Sequence, residues 1–152
     1  MTTETKNAEL ARRWLREIWD ERNDATIREL LHPAAVGHLE GLTTHGPEEF
    51  LAARAFILNA FPDFKLVVED LLAQGESVVF RWAASGTHGG ELLGVEPTNK
   101  RVSFSGITWM RWSDGKLVEG WDCWNQGGVL AELQGHAAAA AAAAAAKAAL
   151  AT

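Results

Sequence analysis

The sequence predicts one α+β domain, with helices in the first part of the chain and an antiparallel sheet in the second. Before residue 62, apolar side chains recur at helical spacing in three segments, and after residue 64 they follow extended segments joined by turns. Helices that precede a run of strands usually pack together on one face of the sheet. The 152 residues suffice for one domain with a sizeable core.

Two helices and a short strand are predicted at the start of the chain. Residues 8–22 place apolar side chains on one side and charged side chains on the other, as in an amphipathic helix. Asn23 and Asp24 can cap a second, shorter helix, which Pro33 ends because proline disfavours helical geometry in the residue before it. A short strand over residues 35–39 would then carry His38.

A third helix and four long strands complete the predicted core. Gly46-Pro47-Glu48-Glu49 is a helix start, because proline fits the first helical position and carboxylates favour the positive end of the helix dipole. Pro62-Asp63 ends this helix. Residues 88–100 are expected to form a long loop, and such loops are often functional. The predicted strands cover residues 65–72, 77–87, 101–112 and 117–124.

The last residues are predicted to lie outside the core. A short helix is expected over residues 129–133, and residues 136–152 form a tail that contains ten consecutive alanines. Alanine favours helix, but a segment that is apolar on every side has no face that defines a partner. We therefore expect the core domain to cover residues 1–135.

Composition argues against several classes of protein. The net charge is −6 and the basic residues are scattered, which disfavours a nucleic-acid surface. Cys123 is the only cysteine, so no intramolecular disulfide can form. The polar N-terminal stretch and the absence of a long apolar run outside the tail predict a cytoplasmic protein with no membrane partner. No nucleotide-binding glycine motif is present, and no cofactor is predicted.

The aromatic residues are unusual in kind, with seven tryptophans, six phenylalanines and no tyrosine. Tryptophan contributes a large apolar surface and an N–H group that needs a partner when it is buried. Such rings can form a plain core or the wall of a pocket for a small organic molecule, and both interpretations stay open. The candidate wall residues are Trp14, Trp19, Phe50, Phe56, Trp82, Phe104, Trp109 and Trp124.

Several short motifs occur in order between about residues 8 and 135. They include Gly46-Pro47-Glu48, Phe61-Pro62-Asp63, Gly86-Thr87-His88, Ser105-Gly106-Ile107, Asp114-Gly115-Lys116 and Glu119-Gly120-Trp121-Asp122. Together they resemble the SnoaL-like polyketide cyclases, whose cone-shaped fold is shared with ketosteroid isomerase. The resemblance implies a curved, mostly antiparallel sheet that about three N-terminal helices wrap around an internal pocket, as in cystatin-like and nuclear transport factor-like proteins.

Two positions depart from the family pattern. The family often has a second acidic residue three positions after the one that matches Asp122, and this chain has Asn125 there. This departure weakens a mechanism that needs two carboxylates, and Asn125 is kept as a candidate for binding substrate. The family also tends to have glycine where this chain has Asn99.

Asp122 is the candidate acid–base residue. It lies between Trp121 and Trp124, where the loss of hydration would raise the pKa of its carboxyl and suit it to proton transfer near neutral pH. Alternatively, the carboxylate only accepts hydrogen bonds and anchors its strand. His88 and His38 are candidates to polarise a carbonyl beside Asp122, because histidine titrates nearest neutrality. Each could instead be a structural hydrogen-bonding residue.

Two other groups of ionisable side chains could form a metal site or an ion pair. His38, His88 and Asp122 could hold a metal, but the sequence lacks a closely spaced pair of ligands, so no metal site is predicted. Arg81 and Glu119 are expected to form an ion pair across neighbouring strands.

The sequence therefore predicts a cofactor-independent cyclase or isomerase-like enzyme that acts on an apolar ketone or ester. The resemblance implies ring closure by aldol condensation, with Asp122 as acid–base and His38 or His88 at the enolate oxygen. Two alternatives stay open: a module that binds a small molecule without turnover, and an epoxide or ester hydrolase on the same fold. An exposed sheet face is expected to pair with a second copy in a homodimer.

Overall fold

The computed structural model describes residues 1–151 and has four α-helices and one six-stranded sheet. The helices are α1 (Thr3–Leu15), α2 (Asp24–Leu30), α3 (Gly46–Ala60) and α4 (Gln126–Leu150). The strands are β1 (Leu31–Leu39), β2 (Leu42–His45), β3 (Lys65–Gln74), β4 (Ser77–Thr87), β5 (Arg101–Ser113) and β6 (Lys116–Trp124). The strand order is β2-β1-β6-β5-β4-β3, and only the β1–β6 pair is parallel. The predicted α+β class is confirmed.

The helix starts follow from side-chain caps. Thr2 accepts a hydrogen bond from the backbone N–H of Thr5 at 3.1 Å, so α1 begins earlier than the apolar pattern alone predicted. A π-helical turn, Arg16–Asp20, continues α1. Asn23 caps α2 as predicted, by accepting from the N–H of Ala25 at 3.0 Å.

Strand β1 begins before Pro33, although the sequence placed its start at residue 35. Its pairing with β6 has a register shift between Leu31 and Val36. Pro33 lies in this irregular part of the strand, where its missing N–H removes no regular ladder bond.

The two faces of the sheet have different environments. Alternate residues of β5 point to opposite faces: Val102, Met110 and Trp112 are buried under the helices, whereas Ile107 and Trp109 are about half exposed. We call these the inner and outer faces. The helices cover the inner face, and the outer face carries further exposed apolar side chains at Val67, Leu72 and Trp121.

Helix α4 is continuous through two segments that the sequence predicts as separate, the short helix over residues 129–133 and the alanine-rich tail. Its first turns bury Val129 and Leu133 against the core, whereas residues 138–150 are exposed. Alanine sustains the helix there through its high intrinsic propensity. Within residues 1–151, no helix combines the length and the apolar character that crossing a membrane requires.

Candidate active site

A cavity of about 350 Å³ lies between the inner face of the sheet and the helices. Its wall is largely apolar, and it includes most of the rings named from the sequence: Trp14, Trp19, Phe50, Phe56, Trp82, Phe104 and Trp124. The size and character suit a small organic ligand. Among these rings, Trp82 and Phe104 meet edge to face with centroids 5.9 Å apart, and Phe104 packs on Trp124 at 5.1 Å.

Asp122 contributes a carboxyl group to this apolar wall. It lies on β6 directly opposite Thr108 of β5, and the Thr108 hydroxyl donates a hydrogen bond to Oδ1 of Asp122 at 2.5 Å. Burial raises the pKa of the Asp122 carboxyl, and the Thr108 hydrogen bond opposes this effect only in part. A carboxyl in this state can take a proton from a bound molecule and return it.

Glycine at position 106 allows Trp82 to take part in this arrangement. Gly106 lies opposite Trp82 in the β4–β5 pair, and a Cβ atom at position 106 would fall 2.4 Å from Cζ2 of the Trp82 ring. It would also fall 2.6 Å from the backbone oxygen of Cys123. Without that atom, the indole lies across β5, and its Nε1 donates to the Thr108 hydroxyl at 3.0 Å.

His38 does not face Asp122, contrary to the prediction that it acts beside this residue. In the β1–β6 pair it lies next to Trp121, whose side chain points to the outer face because it adjoins Asp122 in the strand. The His38 ring stacks on the Trp121 ring at 5.3 Å, and its Nε2 lies 2.8 Å from Oε2 of Glu119. The register of a parallel pair decides this placement.

His88 is fully buried but is not part of the cavity wall, so the structure does not bring it to Asp122 either. Its Nδ1 accepts from the backbone N–H of Thr98 at 3.3 Å and lies 3.0 Å from the Thr98 hydroxyl. The ring packs on Phe61 at 6.2 Å. These contacts close the loop between β4 and β5, which supports the structural alternative for this histidine.

Two predicted substrate-binding residues also lie elsewhere. Trp109 is on the outer face and 50% exposed, because it has the opposite strand parity to Thr108 and Phe104. Asn125 caps α4, where its side chain accepts from the N–H of Gly128 at 2.9 Å. The structure therefore places neither of these two side chains in the cavity wall.

The predicted ion pair between Arg81 and Glu119 is also wrong, because β5 separates their strands. Arg81 instead lies 3.7 Å from Glu69. Glu119 pairs with Arg111 at 3.0 Å on the outer face.

A family model for SnoaL-like polyketide cyclases matches residues 9–133. The chain belongs to this family. No curated protein matches the chain. The similar solved structures include a proposed SnoaL-like polyketide cyclase from Jannaschia sp. CCS1, with 26% identity and a TM-score of 0.80 over 86% of this chain and 92% of that one.

Two further similar structures come from Streptomyces. AclR from Streptomyces galilaeus, a proposed hydroxylase, has 29% identity and a TM-score of 0.76 over 86% of this chain and 97% of its own. IdmH from Streptomyces antibioticus, a proposed polyketide cyclase, has 30% identity and a TM-score of 0.72, with coverage of 84% and 98%. The described activities thus differ between similar folds, and the site must decide the chemistry.

The structure explains one departure from the SnoaL-like pattern. Asn99 has a φ of 58°, in the left-handed region where glycine is usual and asparagine is the best tolerated alternative. Its N–H donates to the backbone oxygen of His88 at 2.9 Å, which closes the same loop. Asn99 therefore occupies a backbone conformation that also suits glycine.

Several polar residues of this SnoaL-like site were missed in the sequence, and three of them make hydrogen bonds that define their positions. Thr108 contacts Asp122 directly. Arg54 of α3 lines the cavity, is buried, donates to the backbone oxygen of Ile18 at 2.9 Å and pairs with Asp24. Glu40 also lines the cavity and accepts from the N–H of Trp124 at 3.1 Å.

A sequence signal existed for Arg54 but not for Glu40. Arg54 follows Phe50 by four residues and precedes Ile57 by three, so this charged residue lies on the apolar side of a helix. Glu40 depends on the β1–β6 register, which the sequence does not define.

Proposed function

We propose that this SnoaL-like protein is a cofactor-independent cyclase in which Asp122 is the acid–base residue of an aldol ring closure. The supporting observation is the Asp122 carboxyl, whose pKa is raised by burial and which faces an apolar cavity. The substrate class that fits is a largely apolar molecule with two carbonyl groups, as in a ketone or ester that can cyclise.

The reaction needs one group that accepts and returns a proton. The Asp122 carboxylate removes a proton from the carbon beside a carbonyl, which leaves an enolate. The enolate carbon then bonds to a second carbonyl carbon of the same molecule. The alkoxide oxygen formed there takes the proton back from Asp122, so no external acid, base or oxidant is consumed. A pKa raised toward the working pH favours both transfers.

The histidines named from the sequence are not part of this proposal, because neither His38 nor His88 belongs to the cavity wall. Polar donors that the wall does include are Arg54 and Gln126. Either could donate to the oxygen on which negative charge develops, where such a bond has its greatest effect.

Hydrogen–deuterium exchange into an apolar ketone tests the first step without knowledge of the substrate. 2-Tetralone and related bicyclic ketones would be screened for binding by quenching of tryptophan fluorescence, and NMR would follow exchange of the protons beside the carbonyl in D₂O. We expect faster exchange with the protein than in buffer, and an at least about hundredfold loss in Asp122→Asn. An equally active Asn variant would remove Asp122 from the mechanism.

A role in binding without turnover is the main competing function. The site has one carboxyl with a raised pKa, and Asn125 offers no second acid because it caps α4. In that case the ketones would quench tryptophan fluorescence in both the wild type and Asp122→Asn, and neither protein would accelerate proton exchange. Hydrolysis of an ester or epoxide would instead release a product detectable in the same samples.

A further inference from the structure

Thr108 connects two other inner-face residues through hydrogen bonds of fixed direction. An indole N–H can only donate, so the Thr108 oxygen must be the acceptor of the 3.0 Å bond from Trp82. An ionised carboxylate can only accept, so the single hydroxyl proton of Thr108 points to Oδ1 of Asp122, at 2.5 Å. The order of donation is therefore Trp82 to Thr108 to Asp122.

This direction distinguishes the two carboxyl oxygens of Asp122. Oδ1 already accepts a hydrogen bond from Thr108 and is poorly placed to carry a proton of its own. Oδ2 accepts no hydrogen bond from the side chains or backbone of residues 1–151. We propose that Thr108, held by the indole N–H of Trp82, is a positioning residue that reserves Oδ1 as an acceptor and makes Oδ2 the oxygen that exchanges a proton with the ligand.

The side chains on which this inference depends are buried and lie on paired strands. Thr108 and Trp82 are 5% and 7% exposed, so water cannot readily replace either partner. Thr108 and Asp122 are also directly paired residues of adjacent strands. Gly106 provides the space in which the Trp82 ring reaches Thr108. The arrangement is made entirely by the protein's own groups, and groups that the fold holds in place need not be ordered during the reaction.

Other charged groups near the cavity have partners of their own. Arg54 from α3 pairs with Asp24, and Glu40 after β1 accepts from the N–H of Trp124. Glu119 of β6 pairs with Arg111. Thr108 is the only side chain that hydrogen-bonds to Asp122 within residues 1–151, so its removal should change the titration of that carboxyl, and it also leaves the Trp82 N–H without its acceptor.

The test compares Thr108→Val with Thr108→Ser and measures the Asp122 carboxyl directly by its infrared band or ¹³C signal during a pH titration. The hydroxyl stabilises the ionised form, so the valine variant should titrate at higher pH than wild type, whereas the serine variant should titrate like wild type. Trp82→Phe should fall between them, because Thr108 loses the indole donor that orients its hydroxyl toward Asp122. Unchanged titration in the valine variant would overturn the proposal.

Proton exchange into 2-tetralone provides the second measurement. We expect Thr108→Val to lose at least about tenfold in rate near neutral pH, the scale of one hydrogen bond to a charged group, with its pH profile displaced like the titration. Thr108→Ser should have the wild-type exchange rate and the wild-type pH profile. A purely structural role would lower the unfolding midpoint without displacing either profile, and that result would contradict the inference.

This inference rests on the proposed acid–base role of Asp122, but the two can fail separately. If wild type catalyses no exchange and the Asp122 titration still depends on Thr108, the proposed function fails and the positioning role stands. If wild type catalyses exchange and Thr108→Val matches it at every pH, the positioning role fails and the proposed function stands.

Discussion

The two faces of strand β6 place similar residues in different environments. On the inner face, Asp122 bonds to one hydroxyl in an apolar cavity, and burial raises the pKa of its carboxyl. On the outer face, the Glu119 carboxyl pairs with His38 and Arg111, with those partners partly exposed to water. Strand parity, more than residue type, therefore decides whether an acidic side chain can handle a ligand proton.

The largest effect is expected when the two carboxyls are neutralised in turn. Asp122→Asn should lower ketone proton exchange at least about a hundredfold, because it removes the only carboxyl with a raised pKa described within residues 1–151. Glu119→Gln should keep the wild-type rate. NMR exchange rates would make the comparison, and a similar loss in both variants would show that the faces are not functionally distinct.

The next largest effect concerns two glycines on the inner face. Gly106→Ala should destabilise the fold by about 1–3 kcal/mol, because its Cβ would overlap the Trp82 ring and a backbone oxygen. Gly120→Ala is the matched control: its Cβ would meet only the backbone oxygen of Trp109, at 3.8 Å. Urea denaturation would measure the free energy of unfolding of both variants, and an equal loss of stability in the two would contradict the packing argument.

The outer face is expected to bind a second copy of the chain. Trp109, Arg111, Glu119 and Trp121 line a shallow groove there, and exposed indoles in such a patch favour association. The double change of Trp109 and Trp121 to Glu should convert a dimer to a monomer in light scattering. Leu150→Glu, at the exposed end of α4, should leave the mass unchanged. A monomeric wild type would contradict this expectation.

The smallest effect is on the pH dependence of stability. The pKa of Asp122 is raised in the folded state, so its favourable contribution is complete at acidic pH, below the pKa of the unfolded chain, and is lost as pH rises through the folded-state pKa. Asp122→Asn should therefore gain stability relative to wild type as pH rises. Thermal unfolding from pH 3 to pH 8 would measure this, and parallel curves would contradict it.

The sequence predicted local features well and long-range placement less well. Pro47 and the turn at Asp114-Gly115 defined element ends because their chemistry acts over a few residues. The aromatic surroundings of Asp122 followed only in part from its sequence neighbours, because Trp124 lines the cavity with Asp122 whereas Trp121 points to the outer face. His38 could not be placed, because its direction depends on how β1 pairs with a strand that comes much later in the chain.

One error was avoidable from the sequence alone. Phe104 and Trp109 are five positions apart in one strand, an odd offset, so they cannot both face the same side of a regular sheet. Applied to β5, that rule places one of the two rings on the outer face of the sheet. Asn125 was harder to interpret, because its role as a helix cap required the start of α4 to be known.

The parallel pair has a consequence for how the molecule folds during synthesis. His38 and Glu119 touch although 81 residues separate them in the chain, and contacts of such long range form slowly because a large loop must close first. Strand β1 can pair with β2 at once, but it lacks its second neighbour until β6 has emerged from the ribosome. The cavity around Asp122 is complete only when β6 has paired. A chain truncated before β6 would expose the aromatic side chains of its helices to water and would be prone to aggregate.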